Sequence, residues 1–109
     1  HQMAKVEVRT TEESFGRAVH LLDQQACCGS LEVGIFTCDS GKSLDRHGHG
    51  QCAEWCYVTD GEAIFDIDGE ITRIGQGEMI LLPANSQHLS YSAVEGKGFT
   101  SIYIVTKEE

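Results

Sequence analysis

From Leu31 to the end of the chain, apolar and polar residues alternate in short runs that turn residues separate. The runs with the length and composition of strands are residues 31–38, 44–49, 53–59, 63–67, 71–74, 79–82, 88–93 and 99–106. Asp60-Gly61 and Asp68-Gly69 are typical of hairpin turns, because glycine adopts the positive φ that such turns require. Strands recurring at about this spacing, with no helix between them, predict an all-β sandwich or barrel.

The residues before Leu31 have a different pattern. Val6 to Val8 alternates apolar and charged residues, as in a short edge strand. Thr10 and Glu13 have the spacing of a capping box, which marks the start of a helix. Four apolar residues follow at positions i, i+3, i+4 and i+7, namely Phe15, Ala18, Val19 and Leu22. We therefore expect a short N-terminal helix from about Thr11 to Gln25.

The chain has 109 residues, which is the size of one domain. We divide it into an N-terminal extension at 1–30 and a single domain at 31–106. The extension begins with His1 and Gln2, which precede Met3 and resemble residues left by cloning. It continues with the edge strand and the helix.

Net charge restricts the possible partners, and the cysteine content bears on the redox state of the thiols. The net charge of -9 disfavours nucleic acid and anionic membranes as partners. No apolar run approaches the ~20 residues that a membrane-spanning helix needs. The five cysteines are odd in number and lack the usual spacing of a zinc knuckle. Reduced thiols in a cytoplasmic protein are therefore the expectation.

Three histidines and one glutamate stand in two stretches: His47, His49 and Glu54 lie between Gly41 and Gly61, and His88 follows Gly77 and Pro83. Neutral imidazole and carboxylate together suit a first-row divalent metal. His47 and His49 are two residues apart, so their side chains would leave the same face of a strand. Structural zinc sites are closed by four ligands that are often cysteines, whereas this set leaves coordination positions open for substrate, water or oxygen.

These two stretches resemble the two motifs of the cupin superfamily. Gly41-(x5)-His47-x-His49-(x4)-Glu54-(x6)-Gly61 has the spacing of the first motif throughout. Gly77-(x5)-Pro83-x-Asn85-x-x-His88-x3-Ser92 is similar to the second. Asn85 stands where the family usually has glycine, and Ser92 stands where it usually has asparagine. Asparagine tolerates a left-handed φ well, so the turn at Asn85 is expected to form.

The resemblance covers about Leu31 to Val105 and implies a small jelly-roll β-barrel, often a homodimer. It implies that one divalent transition metal ion (Fe, Mn, Ni, Zn, Cu or Co) is held by His47, His49, Glu54 and His88. It implies no particular reaction, because this fold hosts isomerases, dioxygenases, decarboxylases, lyases and ligand-binding modules.

Strand alternation predicts what surrounds the ion. If Glu54 points inward, Cys52, Cys56 and Val58 do so as well, whereas Trp55 and Tyr57 point outward. We interpret the inward thiols as small buried hydrophobes rather than as ligands or nucleophiles. The outward aromatic residues would cover the sheet against the N-terminal helix or a second subunit.

No inward lysine or arginine is evident, which favours a small neutral or metal-chelating substrate in the barrel. Two functions remain open. The first is a metal-dependent oxygenase, isomerase or lyase acting on a small polar metabolite, with the metal as Lewis acid. The second is a non-catalytic metal- or ligand-binding module, such as a sensor or an accessory protein. The lack of a convincing acid–base residue beyond the ligands supports the second.

Overall fold

The computed structural model describes residues 5–22 and 31–107. These residues contain no helix and form ten strands: β1 (Arg9–Glu13), β2 (Gly16–Leu22), β3 (Leu31–Cys38), β4 (Ser43–His47), β5 (Cys52–Asp60), β6 (Glu62–Ile67), β7 (Glu70–Gly75), β8 (Met79–Leu82), β9 (His88–Ser92) and β10 (Phe99–Lys107). Six strands form one antiparallel sheet in the order β1-β2-β3-β10-β5-β8, and the other four form a second in the order β4-β9-β6-β7. The all-β prediction is confirmed.

The apolar core lies between the two sheets. Phe36 and Phe99 contribute from the six-stranded sheet, and Phe65 contributes from the four-stranded one. The rings of Phe36 and Phe99 pack edge to face with centroids 5.5 Å apart, a favoured arrangement of aromatic pairs. Phe36 and Phe65 also line a cavity whose other walls include polar side chains.

The predicted N-terminal helix is wrong. Thr11 to Leu22 lies in a hairpin, β1 and β2, whose strands are joined by the two residues Ser14 and Phe15. The helical spacing of apolar residues misled the prediction, because in the hairpin Ala18 is buried in the core whereas Val19 faces the other side of the sheet. Pairing of β2 with β3 along its length outweighs a weak helix propensity, which Gly16 lowers further.

The other boundaries differ less from the predictions. The first strand begins at Arg9 instead of spanning Val6 to Val8. From Leu31 onward each predicted strand is present, with ends shifted by two residues or fewer. Asp68 and Gly69 have φ of 51° and 91° and make the turn between β6 and β7.

The predicted end of the helix and Cys27 and Cys28 lie outside the described residues. Within ranges 5–22 and 31–107, no helix long and apolar enough to cross a bilayer is found.

Candidate metal centre

The structure brings together all four side chains that the sequence singled out. His47 ends β4, Glu54 lies on β5 and His88 begins β9, whereas His49 lies in the connection between β4 and β5. One potential ligand atom from each lies within 4.8 Å of the other three. The register explains this proximity in part, because His47 and His88 are direct partners across β4 and β9.

The connection between β4 and β5, residues 48–51, lies against the connection between β8 and β9, residues 83–87, beside the cluster. The backbone N–H of Asn85 donates to the carbonyl of Gly50, with N and O 2.7 Å apart. Asn85 has the left-handed φ of 64° that its place in the turn requires, as predicted. A Cβ on Gly48 would overlap the carbonyl oxygen of Ser86, so only glycine allows the two connections to approach this closely. Ser92, in contrast, hydrogen-bonds within its own turn, to the carbonyl of Val94.

Glu54 lies at the centre of the cluster and is 7% exposed. Its Oε1 is 2.8 Å from Nε2 of His49 and 3.3 Å from Nε2 of His88. Among residues 5–22 and 31–107, Oε1 nevertheless has no hydrogen-bond partner in good geometry, and neither has the buried Nδ1 of His88. A buried polar atom left unpaired costs about 1–3 kcal/mol. A cation among these side chains would satisfy Oε1, so the donor set fits a metal ion.

His47 is oriented by its own strand. Its Nδ1 lies 2.6 Å from the carbonyl oxygen of Asp45. Because a carbonyl oxygen only accepts, Nδ1 donates and carries the proton, which leaves a lone pair on Nε2. Metal-binding histidines are commonly fixed in this way by a hydrogen bond from the second ring nitrogen.

Glu54 and His49 shift each other's pKa values. Burial alone would raise the pKa of Glu54, but the imidazoles of His49 and His88 outweigh it and lower that pKa to about 2. In return, the Glu54 carboxylate raises the pKa of His49 against the opposing effect of burial. The carboxylate is therefore ionised at neutral pH, as a metal ligand must be.

The second oxygen of Glu54 has its own donor. Oε2 accepts from the thiol of Cys56, with Sγ 3.2 Å away. Burial, followed by the charge of Glu54, raises the pKa of this thiol well above its ordinary value. Cys56 and Val58 are fully buried whereas Trp55 and Tyr57 are exposed, so the predicted alternation on β5 is confirmed for these residues. Cys52 is only half-buried.

The four side chains line a cavity of about 180 Å³. Since a single water needs only ~10–15 Å³ of such volume, a small metabolite fits. The apolar wall consists of Phe15, Ala18, Phe36, Leu44 and Phe65. The polar wall adds Glu32, Ser90 and Tyr103.

Sequence reasoning missed Glu32 and assigned Phe15 to a helix. The alternation of β3 was a usable signal, because residues Gly34, Phe36 and Cys38 are buried and Glu32 shares their parity.

Tyr103 lies over Gly34, its direct partner across β10 and β3. A Cβ on Gly34 would overlap the tyrosine ring, so glycine provides the space in which the ring lies. Burial, followed by the charges of Glu32 and Glu54, raises the pKa of Tyr103 to about 12. The phenol therefore stays protonated at neutral pH and can both donate and accept.

Comparison with known proteins agrees with this geometry. Residues 34–97, more than half of the chain, match the sequence family described as "Cupin domain". A search of curated proteins returned no match. Among solved structures, a predicted oxalate decarboxylase from Thermotoga maritima is 16% identical, with a TM-score of 0.77 over 95% of each chain.

Two further structures are similar. A variant of oxalate decarboxylase from Bacillus subtilis is 18% identical, with a TM-score of 0.79 over 98% of this chain and 30% of the other. A "Cupin 2 conserved barrel domain protein" from Leptotrichia buccalis is 25% identical, with a TM-score of 0.70 over 98% of this chain and 44% of the other. The family match over the strands that carry the histidines and Glu54, together with the shared barrel, shows that the chain belongs to the cupin family.

Proposed function

We propose that this cupin is a metal-dependent enzyme that acts on a small polar metabolite, by oxygenase, isomerase or lyase chemistry. The observation that carries the proposal is the buried, unpartnered Oε1 of Glu54 among three imidazoles. His47, His49, Glu54 and His88 would hold one divalent transition metal ion.

The bound ion would supply Lewis-acid polarisation of a substrate oxygen or nitrogen. The chain supplies the surroundings. Phe36, Leu44 and Phe65 keep the adjoining wall apolar and limit the access of water. Ser90 and Tyr103 offer hydroxyl groups to a substrate in the same cavity. Three imidazoles and one carboxylate leave open positions on a five- or six-coordinate ion, where a substrate can bind.

Two of the similar structures are named as oxalate decarboxylases. Their shared fold supports carbon–carbon bond cleavage as one of the reaction types to test here. We propose residues 31–106 as a single cupin barrel domain and residues 1–30 as an N-terminal extension, of which β2 joins the six-stranded sheet beside β3.

The test begins with the metal content of protein purified without added metal or chelator. We expect close to one transition metal ion per chain by elemental analysis. The loaded protein is then assayed by mass spectrometry against small acids, sugars, polyols and amines, with and without oxygen. Failure to retain any first-row metal overturns the metal site. Tight binding of a metabolite without chemical change would instead favour a sensor or accessory protein.

We also propose that the protein forms a homodimer through the outer face of the six-stranded sheet. Trp55 pairs with Leu81 and Tyr57 pairs with Met79 across β5 and β8. All four side chains are exposed by 37–49% although they are large and apolar. Because β8 is an edge strand, this face is open to a second copy.

A further inference from the structure

A second carboxylate faces the cavity beside the candidate metal centre. Glu54 on β5 is paired with Val105 on β10, and Val105 is paired with Glu32 on β3. Residues in one row of a sheet point to the same face, and neighbouring strands are about 4.8 Å apart. The backbones of Glu32 and Glu54 are therefore about 10 Å apart. Both side chains line the same cavity, and the charge of Glu32 also acts on His49 of the cluster.

No lysine or arginine balances these two carboxylates inside the cavity. All eight such residues of the chain lie in the ranges that the structure describes, and none of them lines the cavity. Arg46 is on the outer side of β4, where it pairs with Asp66 at 2.9 Å. Arg9 is near enough to act on the pKa of Tyr103, but it is exposed on β1 and outside the lining.

Tyr103 belongs to the next inward row, between Cys56 on β5 and Gly34 on β3. Because Gly34 has no side chain, the ring extends over β3, the strand that carries Glu32. The charges of Glu32 and Glu54 both act on its hydroxyl group, which supports a negative potential in this part of the cavity.

We infer that the cavity selects a substrate whose end not bound to the metal carries an ammonium group or an uncharged hydrogen-bond donor, which the Glu32 carboxylate and the Tyr103 hydroxyl bind. The inference rests on the proposed function and narrows its substrate class. It disfavours small dicarboxylates, because their second carboxylate would face Glu32 with no cation beside it. Repulsion of a wrong partner by a like charge is a common source of specificity.

Three small hydroxamic acids test the inference, since they share a metal-binding head and differ in the charge of the tail. Glycine hydroxamate has a cationic tail, acetohydroxamate a neutral one and malonic monohydroxamate an anionic one. Calorimetric titration of the metal-loaded protein at pH 7 should give the tightest Kd for the cationic tail and the weakest for the anionic tail. We expect about a tenfold difference between these two extremes.

Glu32→Gln should reduce that difference to less than about threefold, because it weakens binding of the cationic hydroxamate and strengthens binding of the anionic one. Glu12→Gln makes the same charge change at an exposed position of β1 and outside the cavity, so it should keep the wild-type order. Equal affinities in the wild type, tighter binding of the anion, or an unchanged order in Glu32→Gln would overturn the inference.

Metal content is measured on each sample before titration. A protein that holds no metal contradicts the proposed function itself. A loaded protein that binds the three tails without the expected order contradicts only the role of Glu32. Circular dichroism and thermal unfolding establish that both variants are folded.

Discussion

The buried thiol of Cys56 donates to Oε2 of Glu54, with Sγ and Oε2 3.2 Å apart. The two residues lie on the same face of β5, two positions apart. The Cys56 thiol thus fixes Oε2 by a hydrogen bond, and the other carboxylate oxygen, Oε1, faces His49 and His88. Hydrogen bonds of this kind orient metal ligands and tune their affinity.

Cys56→Ala should lower metal affinity by about 10-fold, because Glu54 loses the donor that orients it. Cys56→Ser keeps a donor at this position and should recover most of the affinity. Competition with a fluorescent chelator measures both. Cys38→Ala is the matched control, since Cys38 is an equally buried thiol whose hydrogen bonds within the described part of the chain go to the backbone carbonyls of Asp39 and Lys42. Equal losses in the Cys56→Ala and Cys38→Ala variants would show that Cys56 only fills space.

His88→Ala should remove most of the bound metal, with affinity falling by more than about 100-fold, because a ligand is lost rather than a residue that supports one. The barrel should remain folded, since Nδ1 of His88 has no partner to lose. Elemental analysis and circular dichroism measure the two outcomes. His20→Ala serves as control, because His20 contacts Thr11 outside the cluster. Full metal content in His88→Ala would contradict the assignment of the site.

The phenol of Tyr103 should ionise only near pH 12, above its ordinary pKa of 10. Because the folded-state pKa is raised, the stability it contributes is fully present below pH 10 and is lost as the pH rises from 10 to 12. Absorbance at 295 nm follows phenolate formation, and the difference between wild type and Tyr103→Phe isolates this residue. Urea unfolding at several alkaline pH values should show a steeper loss in the wild type. A Tyr103 signal centred near pH 10 would contradict the prediction.

If the protein forms the proposed dimer, Leu81→Glu should convert it to monomer by placing a charge in the apolar face that Trp55 and Leu81 form. We expect the dimer Kd to rise by at least about 30-fold, as for a central interface residue. Sedimentation velocity over a concentration series measures it. Ile71→Glu is the control, because Ile71 is more exposed, at 63%, but lies on the four-stranded sheet. A wild-type protein that is monomeric at high concentration would refute the proposal.

The strands from Leu31 onward could be predicted because their residues alternate and because glycine-containing turns separate them. The hairpin before them could not. Phe15, Ala18 and Val19 have helical spacing, and only the pairing of β2 with β3 decides that the segment is extended. That pairing joins residues distant in sequence, which a local pattern does not record.

The residues of the candidate site also differ in how well the sequence predicts them. The spacing of His47, His49 and Glu54 was sufficient to single them out, because they lie close together in the sequence. Glu32 was missed, although its parity on β3 is regular, because its place in the cavity depends on the register of β3, β10 and β5. The side chains that surround a ligand are therefore harder to predict than those that hold an ion.

The donors of the cluster come from both layers of the fold. His47 and His88 belong to the four-stranded sheet and Glu54 belongs to the six-stranded one. An ion bound to all of them would cross-link the two sheets. Its release would then loosen the two layers against each other, so that the rigidity of the whole molecule would vary with the supply of metal.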